Sequence, residues 1–202
     1  MRILGLNGSL RQTSINGQLL RAAGRRLPSH ATFELADLGQ LPLFDEDLEA
    51  AALPEPVTRF QQAVQDADAI IIASPEYNGS LTGALKNALD WASRPGGDAV
   101  LADIPVAVIG ASPSRFGAAW SQSDTRRIVD RIGGKVVPLE LAVAQANDAF
   151  GDDGDLRDPE LRQQLDAIVE ALLALANEAT DVDTLASRPD AVEVGTPPGV
   201  AA

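Results

Sequence analysis

Ala69-Ile70-Ile71-Ile72-Ala73 is apolar at every position. A strand that shows one face to water alternates apolar and polar side chains, so a strand with no polar face has to be covered on both sides, as in a parallel sheet. Pro105-Val106-Ala107-Val108-Ile109 has the same character, and a shorter run, Ile3-Leu4-Gly5-Leu6, lies within residues 2–7. Segments with apolar residues at helical spacing separate these runs. Ile15, Leu19, Ala22, Ala23 and Leu27 mark a helix over 14–27; Val57, Phe60 and Val64 mark one over 56–66. Leu81, Leu85, Leu89 and Trp91 mark another over 82–92, and residues 117–132 read as helical too. Residues 32–36 form a weak second strand, and Val136-Val137 through Val143 a fifth. Asp158-Pro159-Glu160 supplies an N-cap, a proline at the first helical position and an acid in the first turn. The helix it opens is expected to reach about Ala176.

Alternating strands and helices imply a parallel sheet with helices on both faces. Right-handed crossovers narrow the topology further. The expected architecture is α/β: a flavodoxin-like three-layer sandwich with a five-stranded parallel sheet in the order 2-1-3-4-5. Such sheets bind ligands beyond the carboxyl ends of their strands, at the switch point. The 202 residues suit one domain, which we place at 1–176. From Asn177 the periodicity fades, and 188–202 mix Pro, Gly, Asp and Ala without pattern. Residues 177–202 therefore read as a disordered tail.

Composition removes several function classes. With no cysteine there is no thiolate nucleophile and no Cys-ligated metal. The one histidine, His30, follows Pro28-Ser29 between a helix and a strand and reads as a loop residue. No G-x-S-x-G elbow is present to recruit it as a hydrolase base. A net charge of −13 argues against nucleic acid and anionic membrane as partners. No apolar run is long enough to span a bilayer, and the N-terminus has no signal-peptide pattern. A cytoplasmic protein is the expectation.

The loops after strands one, three and four share the binding edge. The first is Asn7-Gly8-Ser9-Leu10-Arg11-Gln12-Thr13-Ser14-Ile15-Asn16. Gly8 allows a sharp turn, Ser9, Thr13, Ser14 and Asn16 offer small polar groups, and Arg11 a cationic fork. The helix that follows presents free N–H groups and a positive dipole end, which suits phosphate. The plainer alternative is that Thr13 or Ser14 is an N-cap and Arg11 a solvated charge. The loop lacks the lysine of G-x-x-x-x-G-K-[ST]; Ile3 stands where G-x-G-x-x-G needs its first glycine. Asp37 could imitate a ribose-binding acid but reads as a turn residue. The loop thus favours a phosphate monoester over a pyrophosphate.

The second loop is Ser74-Pro75-Glu76-Tyr77-Asn78-Gly79-Ser80, with a strong turn dipeptide and the only tyrosine of the chain. An aromatic face beside backbone amides suits a planar heterocycle, and equally a surface turn. The third, Gly110-Ala111-Ser112-Pro113-Ser114-Arg115-Phe116-Gly117, is made largely of small residues that leave space above the sheet. The acidic run Asp152-Asp153-Gly154-Asp155 fails the EF-hand spacing, because Ala149 would hold its first position. It reads as a solvated loop.

Gly8-Ser9-Leu10-Arg11 with Ser14 and Asn16, then Pro75 to Ser80, then Leu85-Lys86-Asn87-Ala88-Leu89-Asp90-Trp91-Ala92-Ser93-Arg94, resemble the NADPH-dependent FMN reductase family. That family includes flavodoxin-like quinone, chromate and azo-dye reductases. The likeness continues through Gly110-Ala111-Ser112-Pro113 and Phe150-Gly151-Asp152-Asp153-Gly154. It implies that Ser9, Arg11, Ser14, Ile15 and Asn16 hold the FMN phosphate. It places Pro75, Glu76, Tyr77, Asn78 and Gly79 along the flavin, and Ser112 near its other side. It also implies NADPH or NADH as donor, a quinone or similar small acceptor, and a homodimer or homotetramer. One stretch departs: many relatives carry Tyr-His-Leu-Arg where this chain has Ser123-Asp124-Thr125-Arg126. Hydride chemistry by a cofactor needs no protein nucleophile, which agrees with the missing cysteine. The alternative is a non-enzymatic electron carrier of the flavodoxin type.

Overall fold

The computed structural model describes residues 1–186, with side chains through Ala179. In chain order, β1 (Arg2–Asn7) leads to α1 (Ile15–Gly24), β2 (Thr32–Ala36), α2 (Glu46–Ala51), α3 (Glu55–Gln65) and β3 (Ala69–Ala73). A hairpin of β4 (Glu76–Tyr77) and β5 (Ser80–Leu81) precedes α4 (Gly83–Ala92). Then come β6 (Pro105–Ala111), α5 (Ala119–Ile132), β7 (Lys135–Val136), β8 (Ala142–Val143) and α6 (Pro159–Ala186). The central sheet is parallel in the order β2-β1-β3-β6-β7, with β8 also on β6. This is the flavodoxin-like order that the alternation predicts.

Side chains of successive strand residues point to opposite faces, and the two halves of the core follow that rule. Ile3, Ile71 and Ile109 face α1 and α6, where Leu19, Leu20, Leu165 and Leu172 close the layer. Leu4, Leu6, Ile70, Ile72, Val106 and Val108 face α3, α4 and α5, meeting Phe60, Leu85, Trp91 and Val129. Every residue of β3 and β6 is buried, so the apolar runs are the middle of the sandwich. Burying a side chain of this size contributes about 1.5–3 kcal/mol.

Three boundaries differ from expectation. The first helix ends at Gly24 and not Leu27: Pro28 disfavours the helical region for the residue before it, and the chain turns through Arg25 to Leu27. The fifth strand is broken in two. Val136 lies opposite Val106 and Ala142 opposite Gly110, so the edge chain uses more residues than β6 over the same length. Pro138, inside that stretch, has no N–H to give. Arg126 takes up the loosened carbonyls of Val137 and Leu139 at 2.7 and 2.8 Å. The last helix continues to Ala186, ten residues past Ala176, the last buried one among the described side chains. Residues 187–202, most of the expected tail, lie outside the described residues.

The motif Leu85 to Arg94 builds the fold. Asn87 and the Trp91 indole both donate to the Pro42 carbonyl, at 2.8 and 2.9 Å, and Asn87 accepts from the Phe44 N–H at 2.7 Å. The rings of Phe44 and Trp91 meet edge-on, 4.9 Å apart. Arg94 donates to the Glu49 carboxylate at 2.8 and 2.9 Å, which holds that carboxyl below its usual range and pins α2.

Candidate functional site

The turn after β1 is built by close approach. The Gly8 N–H bonds the Ala73 carbonyl at the end of β3, 3.0 Å away. A Cβ on Gly8 would stand 2.7 Å from Pro75 Cδ, so a larger residue would push the first two loops apart. The Gly8 carbonyl accepts from Thr82 at 2.6 Å, and the same hydroxyl oxygen accepts from the Leu85 N–H at 3.2 Å as the N-cap of α4. Thr82 therefore ties the first loop to the start of α4. It is missing from the sequence-based site, although a threonine ahead of Gly-Ala-Leu is a legible N-cap.

Ser14 is the N-cap of α1: it is buried and accepts from the Gly17 N–H at 3.1 Å. Its own proton remains to be given. The N–H groups of Ile15 and Asn16, in the first turn, have no intrahelical acceptor. Asn16 is 4 % exposed, and its carboxamide is used twice on the Ala111 backbone. It donates to the carbonyl at 2.9 Å and accepts from the N–H at 3.0 Å. That side chain clasps the end of β6 to α1; the polar groups left to face a ligand are its backbone N–H, the Ser9 and Ser14 hydroxyls and Arg11. Arg11 is exposed and forms no ion pair among the described residues. Ser9 accepts from the Arg11 N–H at 3.4 Å, which keeps the loop compact.

The second loop is a tight hairpin. Asn78 and Gly79 have φ of 54° and 75°, the left-handed pair that a two-residue turn requires and that Asn-Gly tolerates. Tyr77 is 57 % exposed at its tip. The Glu76 carboxylate reaches α5, accepting from the N–H groups of Trp120 and Ser121 at 3.1 and 3.2 Å. Ala118, the residue before α5, is left-handed and offers no side-chain cap, so Glu76 caps the helix from outside. Ser80 adds a bond to Asp124 at 2.7 Å. In the third loop the Ser112 N–H bonds Val143 O, and its hydroxyl accepts from Ser114 N at 3.1 Å. Phe116 and Trp120 stand exposed beside it, 4.6 Å apart edge to face, with the Arg115 guanidinium 4.6 Å over the Phe116 ring.

The three loops thus converge at the carboxyl ends of β1, β3 and β6. Asn16, Thr82 and Glu76 stitch them together; Arg11 and Tyr77 are exposed there, and Ser9 and Ser112 partly so. Asp37 is a turn residue, accepting from the Gly39 N–H at 3.1 Å. His30 is exposed in a turn. No cluster of metal-ligating side chains occurs among the described residues. In the departing stretch, Ser123 is exposed, Asp124 holds Ser80, Thr125 is buried and Arg126 supports the broken edge strand.

The chain matches the family described as NADPH-dependent FMN reductase over residues 1–148. It is 39 % identical to an NAD(P)H-dependent FMN reductase of Pseudomonas aeruginosa, across 85 % of this chain and 93 % of that one. A 2-hydroxy-1,4-benzoquinone reductase of a Burkholderia species is 44 % identical, over 63 % of this chain and 69 % of its own. The solved structure of FerB, a flavoenzyme NAD(P)H:(acceptor) oxidoreductase from Paracoccus denitrificans, superposes with a TM-score of 0.79 at 31 % identity, covering 88 % and 98 %. The loops that converge at one sheet edge are the segments that carry the sequence resemblance, and on both grounds the chain belongs to the NADPH-dependent FMN reductase family.

Proposed function

We propose that this protein is an NAD(P)H-dependent oxidoreductase that uses FMN to reduce quinones or similar small acceptors. The observation that carries the reading is the convergence of an anion-binding turn and an aromatic hairpin at one strand-end edge. Arg11, the Ser9 and Ser14 hydroxyls and the amides of Ile15 and Asn16 suit a phosphate monoester. The Pro75–Gly79 hairpin and Ser112 border the flat ring of the cofactor, with Tyr77 and Asn78 nearest it. Bound FMN supplies two-electron hydride chemistry. The protein's own residues bind and orient it. Gly8 admits the first loop to the second, Glu76 anchors the hairpin on α5, and Tyr77 offers an aromatic face to whatever lies beside it.

Relatives named as reductases support an enzyme over the flavodoxin-type carrier. A flavodoxin variant from Pseudomonas aeruginosa is 14 % identical with a TM-score of 0.55, a likeness of fold alone. We place the cofactor domain at 1–176 and the protein in the cytoplasm; no helix among the described residues is long and apolar enough to cross a membrane. Exposed Tyr77, Phe116 and Trp120 support a homodimer or homotetramer that covers part of this edge, which sedimentation velocity would test against a monomer.

A donor and an acceptor that share one flat face bind in turn and not together. Initial rates against nicotinamide concentration, at several fixed quinone levels, should then give parallel double-reciprocal lines. Intersecting lines would reject the shared face. Absence of nicotinamide oxidation by the FMN-loaded protein would return the case to the carrier.

A further inference from the structure

Three buried hydroxyls lie behind the hairpin, and none of them can touch a ligand. Ser74, Ser121 and Thr125 are each 0 % exposed. Ser74 Oγ is 2.5 Å from Ser121 Oγ and 2.9 Å from Thr125 Oγ1. Ser121 Oγ is also 2.8 Å from the Pro75 carbonyl, and Thr125 Oγ1 is 2.8 Å from the Ser121 carbonyl. Three hydroxyls hold three protons, and the acceptors decide where they go. The Pro75 carbonyl has no other donor among the described residues, so leaving it unserved would orphan an acceptor at a buried proline. The Ser121 proton therefore goes to Pro75. Thr125 gives its proton back to the helix carbonyl of Ser121, as threonines in helices do. Ser74 is left with one proton, which serves the Ser121 or the Thr125 oxygen, both within reach. The Ser121 proton is fixed in direction and ends on one peptide bond.

That peptide bond joins Pro75 to Glu76. Its C=O points into the hydroxyl cluster, so in a trans peptide its N–H points the opposite way, out from α5. The hairpin does not use this N–H. With a two-residue turn at Asn78-Gly79, Tyr77 and Ser80 form the closing hydrogen-bonded pair, and Glu76 opposite Leu81 is the non-bonded pair. Meanwhile the Glu76 carboxylate is bound to the first turn of α5. Carbonyl and carboxylate are both turned to the protein, and one backbone donor is turned away from it.

We propose that Ser121 is a positioning residue for the flavin: by holding the Pro75 carbonyl it fixes the Glu76 N–H as a preset donor along the cofactor's edge. This rests on the reading that Pro75–Gly79 borders FMN. Thr125 supports the helix and is not required for the presentation. The two hydroxyls are neighbours in one cluster, equally buried, and are assigned different consequences.

The test is titration of the apo protein with FMN by flavin fluorescence, with the visible spectrum of each complex, for the wild type, Ser121→Ala, Ser121→Thr and Thr125→Val. Ser121→Ala should weaken FMN binding roughly tenfold, the worth of one hydrogen bond, and displace the visible flavin band. Ser121→Thr keeps the hydroxyl and should restore both. Thr125→Val should lower the melting temperature while leaving affinity and spectrum as in the wild type. If Ser121→Ala does not fold, Ser121→Cys, a weaker donor of similar size, should show a smaller loss in the same direction. An unchanged affinity and spectrum in Ser121→Ala, with normal FMN binding by the wild type, would overturn the inference alone. Equal losses in Ser121→Ala and Thr125→Val would overturn it too, reducing the cluster to packing. A wild type that takes up no FMN would overturn the functional reading and the inference with it.

Discussion

Arg11 and Asn16 stand five positions apart in one polar loop, and the structure gives them opposite work. Asn16 is buried and its carboxamide is fully occupied by Ala111, 95 residues away in the chain. Arg11 is exposed and has no anionic partner among the described residues. In a chain of net charge −13, a cation left unpaired at a helix start is where a phosphate is best received. A charge-assisted contact of this kind contributes about 1.5–3 kcal/mol. Arg11→Ala should then weaken FMN binding roughly ten- to a hundredfold. Riboflavin, which lacks the phosphate, should bind both proteins alike. Equal losses for both flavins in equilibrium dialysis would mean that Arg11 acts through the loop's shape. Asn16→Ala should instead weaken both flavins and the fold, because it frees the end of β6.

Between elements, the acidic run before α6 is tied down by two neighbouring guanidiniums. Arg26, just past α1, donates to both Asp155 oxygens at 3.0 and 3.1 Å and to Asp166 on α6 at 2.5 Å. The neighbouring Arg25 donates to the Gly154 carbonyl at 2.5 Å. The run expected to be a solvated loop is thus an ionic latch joining α1 to α6, and its signal, a matching pair of arginines 129 residues away, is invisible locally. Burial alone would raise the Asp155 carboxyl, but the Arg26 hydrogen bonds, the Leu156 N–H and the nearby charges outweigh it and hold the group below its usual value. A carboxyl depressed in the folded state stabilises above its unfolded pKa and loses that contribution as pH falls through the folded one. The wild type should therefore lose melting temperature as the pH falls below about 4, the ordinary aspartate value. Arg26→Ala should be less stable at pH 7 by about 1–3 kcal/mol and lose less over the acid range. Parallel melting curves for the two proteins against pH would show that the latch does not titrate.

At the scale of the molecule, the sandwich supplies a rigid sheet and leaves binding to its loops. Among the described side chains of α6 the last buried one is Ala176; Asn177 and Glu178 are exposed. The helix itself runs on to Ala186. A chain stopped at Thr180 should keep its flavin and its melting temperature. A drop of many degrees, or loss of FMN on gel filtration, would show that the remaining residues dock on the body or on a second subunit.

The sequence by itself determined the layers and the strand order. Apolar runs with no polar face can only be buried on both sides, and right-handed crossovers leave few ways to arrange a five-stranded parallel sheet around them. It also marked the three loops, because Gly8, Asn78-Gly79 and the small residues around Ser112 announce turns through their own backbone preferences. Only the tertiary structure decided what the polar side chains in those loops do. Asn16 and Glu76 have the same composition as ligand-binding residues, yet Asn16 clasps a strand end and Glu76 caps a helix. Nothing local signalled that Ser74, just past β3, would meet Ser121 and Thr125 of α5, since a serine or threonine at a strand end or in a helix is unremarkable by itself. Periodicity records which face of an element is buried. A hydrogen bond between residues 40 to 130 positions apart depends on where two elements meet, and that is fixed only when the whole chain has packed.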